Sequence, residues 1–229
     1  MLRPLDMLSE IDPEETLTRL VLRHPEVAPV LQKHHLEFCC NGELPLEQAC
    51  RGQRVPVDQV VAELRAVVAA RGTVGKSAAV PSTTSLLSEL ERLHDYLRRV
   101  MTFLLPLAEA VEEAEGARNP RLKELTWNVR DLGTTLLPHL DAEFRLILSA
   151  VGSGGASSLP TQRALDALEE EHQEIGDLLA DVRLTAEDFR APKWASLDYR
   201  TLLLELEALE GHLMRAVHLE NHLLFPRLG

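Results

Sequence analysis

Apolar residues recur at steps of three and four along four long stretches of the chain, which predicts four amphipathic helices, each with one inward stripe. In SLLSELERLHDYLRRVMTFL the stripe is Leu87, Leu90, Leu97, Met101 and Leu104, and His94 falls in phase with it. The next stripe runs Leu125, Val129, Leu132, Leu136, then His139 and Glu143, then Ile147, so a histidine and a glutamate four apart take consecutive core positions. A third reads Leu165, Leu168, His172, Ile175, Leu179, Val182, and a fourth Leu202, Leu206, Leu209, Leu213, Ala216, Glu220, Leu224. Helices are expected at about 84–115, 120–151, 160–190 and 196–226, separated by GARNP, GSGGASS and APKW. Connections this short force antiparallel neighbours and an up-down-up-down four-helix bundle.

Polar residues on inward stripes need partners. With upper turns near 116–119 and 191–194, counting residues down each helix puts His94, His139, Glu143, His172 and Glu220 in one layer, within ~10 Å of one another in height at about 1.5 Å per residue. A carboxylate left unpaired in an apolar core costs several kcal/mol, and this layer would hold two beside three imidazoles. A cation removes that cost. Imidazole with carboxylate oxygen suits iron, zinc or manganese, and carboxylates able to bridge suit a dinuclear centre. The alternative is a buried His/Glu hydrogen-bond network without metal. Pro106 and Pro138 fall inside the first two helices, where each removes a backbone donor and is expected to bend the axis, Pro138 directly before His139.

Upstream the pattern changes. Residues 1–71 read as a compact module of short helices opened by Asp12–Pro13, Pro25, Pro45 and Pro56, and residues 72–84, rich in small and polar residues, read as a linker before a bundle at 85–229. The GKS within the linker follows no strand and lacks the spacing of a phosphate-binding loop. Leu, Ala, Glu and Arg dominate and only 4% of residues are aromatic, which with the periodicity gives an all-α fold class. Lys+Arg 24 against Asp+Glu 36 leaves a net charge of −12 without a basic cluster, so no nucleic-acid partner is expected. No leader pattern or bilayer-length apolar run is present, so a cytoplasmic protein without a membrane partner is expected. The acidic surface leaves a homodimer open. No activated serine or cysteine arrangement marks a hydrolase.

Three cysteines in the first 50 residues are too few and too odd for a disulfide framework. Cys39 and Cys40 are adjacent and precede the turn signal Asn41–Gly42, so they are expected near the surface at a helix end, where nearby helix N-termini would favour thiolate. They are candidate redox thiols or soft ligands. Cys50 is expected to pack as a small hydrophobe, and His24, His34 and His35 to be surface or packing residues.

Taken together, these segments resemble the repair-of-iron-centres, or ScdA-type, iron–sulfur cluster repair proteins, which join a small cysteine-containing helical domain to a hemerythrin-like bundle. EFCCNGELPLEQAC is similar to the family's Asp-Tyr-Cys-Cys-Gly-type motif, with Glu37 and Phe38 in place of Asp and Tyr. HLDAE at His139–Glu143, EEHQEIGDLL around His172 and HLENHLLFPR around Glu220 resemble its bundle motifs. The resemblance implies two iron ions, with His94, His139 and His172 as terminal ligands and Glu143 and Glu220 as bridges. It also implies a stress-response role, repairing clusters damaged by nitrosative or oxidative stress through iron donation or nitric oxide handling, with damaged iron–sulfur proteins as clients. One ligand is missing: where the family places a histidine four residues before the fourth-helix glutamate, this chain has Ala216. His218 lies about 200° around the helix from it and His212 a turn higher, so neither replaces it without local distortion. A weakly held ion is the expected consequence. The competing readings are an oxygen- or nitric-oxide-binding sensor module, and a degenerate scaffold holding one metal or none.

Overall fold

The computed structural model describes residues 11–40, 42–72, 81–152 and 159–228. Residues 73–80 of the expected linker, Asn41 of the expected turn and residues 153–158 of the expected loop between the second and third long helices lie outside them. Among the described residues the structure is all-α, with no strand and a single isolated antiparallel bridge between Thr16 and Pro45. The chain divides into two compact units, Met1–Ser85 and Leu86–Gly229.

The first unit is built from α1 (Leu17–Arg23), a 3-10 turn (Pro25–Val27), α2 (Ala28–Lys33), α3 (Leu46–Gly52) and α4 (Val57–Gly72). Pro25, Pro45 and Pro56 stand at element starts as expected, because a missing N–H costs nothing in a first turn. Asp12–Pro13 does not open a helix. Its carboxylate accepts the Glu14 N–H at 3.0 Å in a local turn, and α1 begins five residues on, capped by the Thr16 hydroxyl. Leu17, Leu20, Leu31, Leu36, Leu46 and Leu64 form the core. Gly42 is fixed by space: a Cβ there would come within 2.2 Å of Thr18 Oγ1 and 2.4 Å of the Phe38 carbonyl.

The second unit is an up-down-up-down bundle of α5 (Thr83–Glu115), α6 (Arg121–Gly152), α7 (Leu159–Thr185) and α8 (Leu197–Leu219), the last prolonged by a π-helical turn (Glu220–Leu224) and α9 (Phe225–Leu228). Polar bonds between neighbours follow the ring of helices: Arg98–Asp141 joins α5 to α6 at 2.9 Å, Asn128 joins α6 to Asp181 and Thr185 of α7, Arg183–Glu210 joins α7 to α8, and Arg215–Glu89 joins α8 to α5. The expected stripes are buried with one exception: in α5 the core turn uses Leu86 and Leu93, and Leu87 is half-buried. α5 and α6 continue as helix through Pro106 and Pro138.

α7 stops at Thr185, five residues short of the expected end. Glu187, Asp188 and Phe189 adopt positive φ angles of 51°, 57° and 60°, which no helix continues. The turn folds the Phe189 ring back under the Arg183 guanidinium, 4.7 Å above its centroid, and Arg183 also binds buried Glu210, Nε to Oε1 at 2.6 Å. Helical periodicity alone does not reveal such a tertiary stop.

Candidate metal centre

Each bundle helix delivers its polar residue through the register of its leucines, and the five meet. His94, His139, Glu143, His172 and Glu220 are all buried, Glu143 and His172 with no exposure at all. His94 Nε2 lies 2.6 Å from Glu220 Oε1 and 3.5 Å from Glu143 Oε2. His139 Nε2 lies 3.9 Å from Glu143 Oε2, and His172 Nε2 lies 3.4 Å from Glu220 Oε2. Their nitrogen and oxygen atoms form two groups that could hold an ion, His139/Glu143/His172 and His94/Glu143/Glu220, each within 4.8 Å and sharing Glu143.

Two residues outside the layer orient it. The Nδ1–H of His139 donates to Glu171 Oε2 at 2.7 Å, and that of His172 to Asn221 Oδ1 at 2.7 Å. An acceptor opposite Nδ1 places the ring proton there, so the lone pair of Nε2 faces the layer. Phe225 stacks on the His172 ring at 5.8 Å between centroids. Asn221 and Phe225 are brought to His172 by the π turn, in which the Phe225 N–H reaches back to the Glu220 carbonyl. Such single wide turns commonly mark functional sites. Glu171 is not legible from the stripe, since it neighbours His172 and serves a ring on the adjacent helix. An acid flanking a core histidine was its only sequence signal.

Burial dominates the electrostatics of the layer. Burial, with the charge of Glu220, pushes the Glu143 carboxyl well above the usual carboxylate range, and burial pushes Glu220 up to about 8. Burial lowers His94 and His139, and holds His172 down to about 3. Without a cation the layer is therefore a neutral set of imidazoles and carboxylic acid. Neither oxygen of fully buried Glu143 has a hydrogen-bond partner, an unfavourable state for a carboxyl group. With three imidazole nitrogens and the Glu220 carboxylate around it, Glu143 completes a donor set that fits iron, zinc or manganese.

His212 and His218 do not join either group. His212 stacks on Tyr96 at 4.1 Å and its Nδ1–H donates to the Ala208 carbonyl at 2.7 Å, while the His218 ring lies 5.0 Å from that of His222. Ala216 is buried, with no side chain able to ligate. The π turn is a local distortion of the kind compensation would need, but it recruits Asn221 and Phe225 instead of another imidazole.

In the first unit Cys39 is buried and Cys40 half-buried, and no disulfide joins any of the three cysteines. The expectation of a surface helix end that favours thiolate is corrected. Residues 36–40 are irregular backbone, and Glu37 folds over them: its Oε1 accepts the Cys39 N–H at 2.6 Å, the Cys40 N–H at 2.8 Å and the Cys39 S–H at 2.8 Å. The hydrogen bond with Cys40, burial and the Glu37 charge push the Cys39 thiol well up. Cys50 is buried in the core as expected. His34 is a packing residue on Glu63 at 3.1 Å, His24 is buried and His35 exposed.

A four-helix bundle closing on a buried histidine–carboxylate layer is the construction of a hemerythrin-like cation-binding protein, and residues 85–228 match the hemerythrin HHE cation binding domain. Residues 13–68 match ScdA_N, a domain of unknown function (DUF542). With both domains in this order, the chain belongs to the ScdA-type, repair-of-iron-centres family. Similar proteins include the iron-sulfur cluster repair protein YtfE of Yersinia pseudotuberculosis serotype IB (strain PB1/+), 26% identical over 215 residues, covering 93% of this chain and 96% of that protein. Proteins of the same name from Yersinia pestis strains Pestoides F and Angola match with the same identity and coverage. Among the described residues no helix is long and apolar enough to cross a membrane.

Proposed function

We propose that this protein repairs iron–sulfur clusters damaged by nitrosative or oxidative stress, in the cytoplasm, using a di-iron centre held by His94, His139, Glu143, His172 and Glu220. The observation that carries the reading is Glu143: buried, without a hydrogen bond to either oxygen although His94 Nε2 lies 3.5 Å away, and shared by two groups of donor atoms. The relatives named for cluster repair, matched over nearly the whole chain, support the biological role. Two irons would supply redox-active, exchangeable metal. The protein's part is to hold His139 and His172 by Glu171 and Asn221 with their lone pairs inward, to present Glu143 and Glu220 between the imidazoles, and to keep water from the layer with leucines.

Proton bookkeeping follows from the same geometry. Binding dications displaces the protons held on Glu143 and Glu220, so loading releases protons near neutral pH. The short His94–Glu220 bond must open at the same time. Damaged iron–sulfur proteins would be the clients, and nitric oxide or oxygen the small ligands.

The test is metal per chain, by elemental analysis with optical and Mössbauer spectra, on protein purified anaerobically from iron-fed cells. About two irons per chain are expected; none, with the fold intact, overturns the proposal. Restoration of a damaged cluster enzyme by the wild-type chain and by a Cys39→Ser/Cys40→Ser variant then separates repair from gas sensing. Repair should fail without the thiols, whereas a reversible gas-binding module would keep its ligand binding.

A further inference from the structure

The geometry points to a second cation site in the first unit, formed by Cys39, Cys40 and Glu37, that takes a thiophilic divalent ion of the iron(II) or zinc(II) type in tetrahedral coordination with one position open. It requires no metal in the bundle. The two Sγ atoms stand 3.7 Å apart. A disulfide would need about 2.05 Å. Two thiolates on one tetrahedral ion, at metal–sulfur bonds of about 2.3 Å, stand about 3.8 Å apart, whereas a linear two-coordinate ion would need about 4.6 Å. The thiols, now in S–H···S contact, thus already stand at the separation a tetrahedral ion needs and would have to spread for a linear one.

Glu37 supplies the third donor and the scaffold. Its carboxylate is anchored by the amides of Cys39 and Cys40 at 2.6 and 2.8 Å, so it stays in place when the thiol proton it accepts departs. Ligand atoms of the three residues lie within 4.8 Å of one another. Glu37 and Cys40 are half-buried, which leaves a route in, while Cys39 closes the inner side. Gly42 holds the loop tight, its carbonyl accepting the Thr18 N–H at 2.9 Å where a Cβ would clash. On binding, two S–H bonds break and two metal–sulfur bonds form, two protons leave to solvent, and the ion remains divalent. Among the described residues three protein donors meet, which gives the fourth position to water or to a ligand from a partner, the arrangement of an exchange site; a closed structural site has four.

Cobalt(II) titration of the full-length reduced chain under anaerobic conditions tests this. The bundle layer offers only nitrogen and oxygen donors, so a thiolate-to-cobalt charge-transfer band in the near ultraviolet reports the cysteine site alone. The band should saturate at one cobalt per chain and vanish in Cys39→Ser and in Cys40→Ser. It should persist in Glu37→Gln with affinity lowered about 10-fold or more, and be unchanged in His139→Ala, with far-ultraviolet dichroism verifying each fold. No such band at saturating cobalt overturns the inference, as does a band that survives both cysteine changes or a Glu37→Gln affinity equal to wild type. A band that forms while the bundle binds nothing upholds this site and removes only the di-iron proposal.

Discussion

Glu171 shows how much of the proposed centre rests on residues that would hold no metal themselves. Its carboxylate fixes the His139 tautomer from the neighbouring helix. Replacing it with Ala frees the ring, and such outer partners commonly contribute 10- to 100-fold to metal affinity. Chelator competition should therefore show a loss of about that size with unchanged helix content, and wild-type affinity would show that His139 needs no orienting partner. Ala216 acts in the opposite sense. The His139/His172 group has both rings pinned, whereas among the described residues none bonds Nδ1 of His94, whose Nε2 is tied to Glu220. Ala216→His should tighten binding of a second ion per chain in a stepwise metal titration; two equally tight ions already in the wild type would show the sixth ligand to be dispensable.

The carboxyl groups give a pH signature at the same scale. Glu220 has a folded pKa of about 8 against an ordinary value of 4.5, so the metal-free folded state binds more protons than the unfolded chain between those limits, and stability falls as pH rises. His172, held down to about 3 against 6.5, works oppositely but only below about pH 6.5. In chelator, the melting temperature should fall from about pH 6.5 to 8, and less so in Glu220→Gln. A metal-free melting temperature that is flat or rises over that window contradicts this.

At the scale of elements, the long helices are legible because each has a continuous stripe in a single phase. The cap residues Thr16 and Ser196 act as their side chains dictate, each accepting a backbone N–H from the first turn. The misread features are those set by contacts between elements. α7 ends where Arg183 gathers Glu210 and Phe189, and Asp12–Pro13 yields to the Thr16 cap. Because the Arg183 and Glu210 side chains are only 14% and 6% exposed, Arg183→Ala strands a buried charge and should cost about 3–5 kcal/mol in chemical denaturation. An Arg183→Leu/Glu210→Leu double variant should recover most of that loss, and equal losses for both would show that packing, and not the pair, is what α7 and α8 share. The π turn belongs to the same class: ENHLLF has no local feature that demands a wide turn, and it is seen only through what it places on His172.

For the whole molecule, the proposed bundle centre predicts that metal stabilises the second unit. An ion that binds only the folded bundle raises its stability by about 2.7 kcal/mol when present at 100 times its dissociation constant. Calorimetry with and without chelator should show a metal-dependent transition that His172→Ala abolishes. If His172→Ala leaves the metal-dependent shift intact, the stabilising ion lies elsewhere than the bundle layer.

Residue spacing alone determined that this chain is helical, that four of its helices form an antiparallel bundle, and that five polar residues share a layer, because periodicity and loop length act along the chain and survive without knowledge of neighbours. The motifs around them carried the family. Tertiary structure alone decided which outer groups aim the rings, that Glu143 is left without a hydrogen-bond partner, that His212 and His218 turn elsewhere, and that Glu37 folds over the cysteine pair. Each of these depends on side-chain direction and on atoms brought together from separate elements or by irregular backbone, quantities that a one-dimensional pattern does not contain.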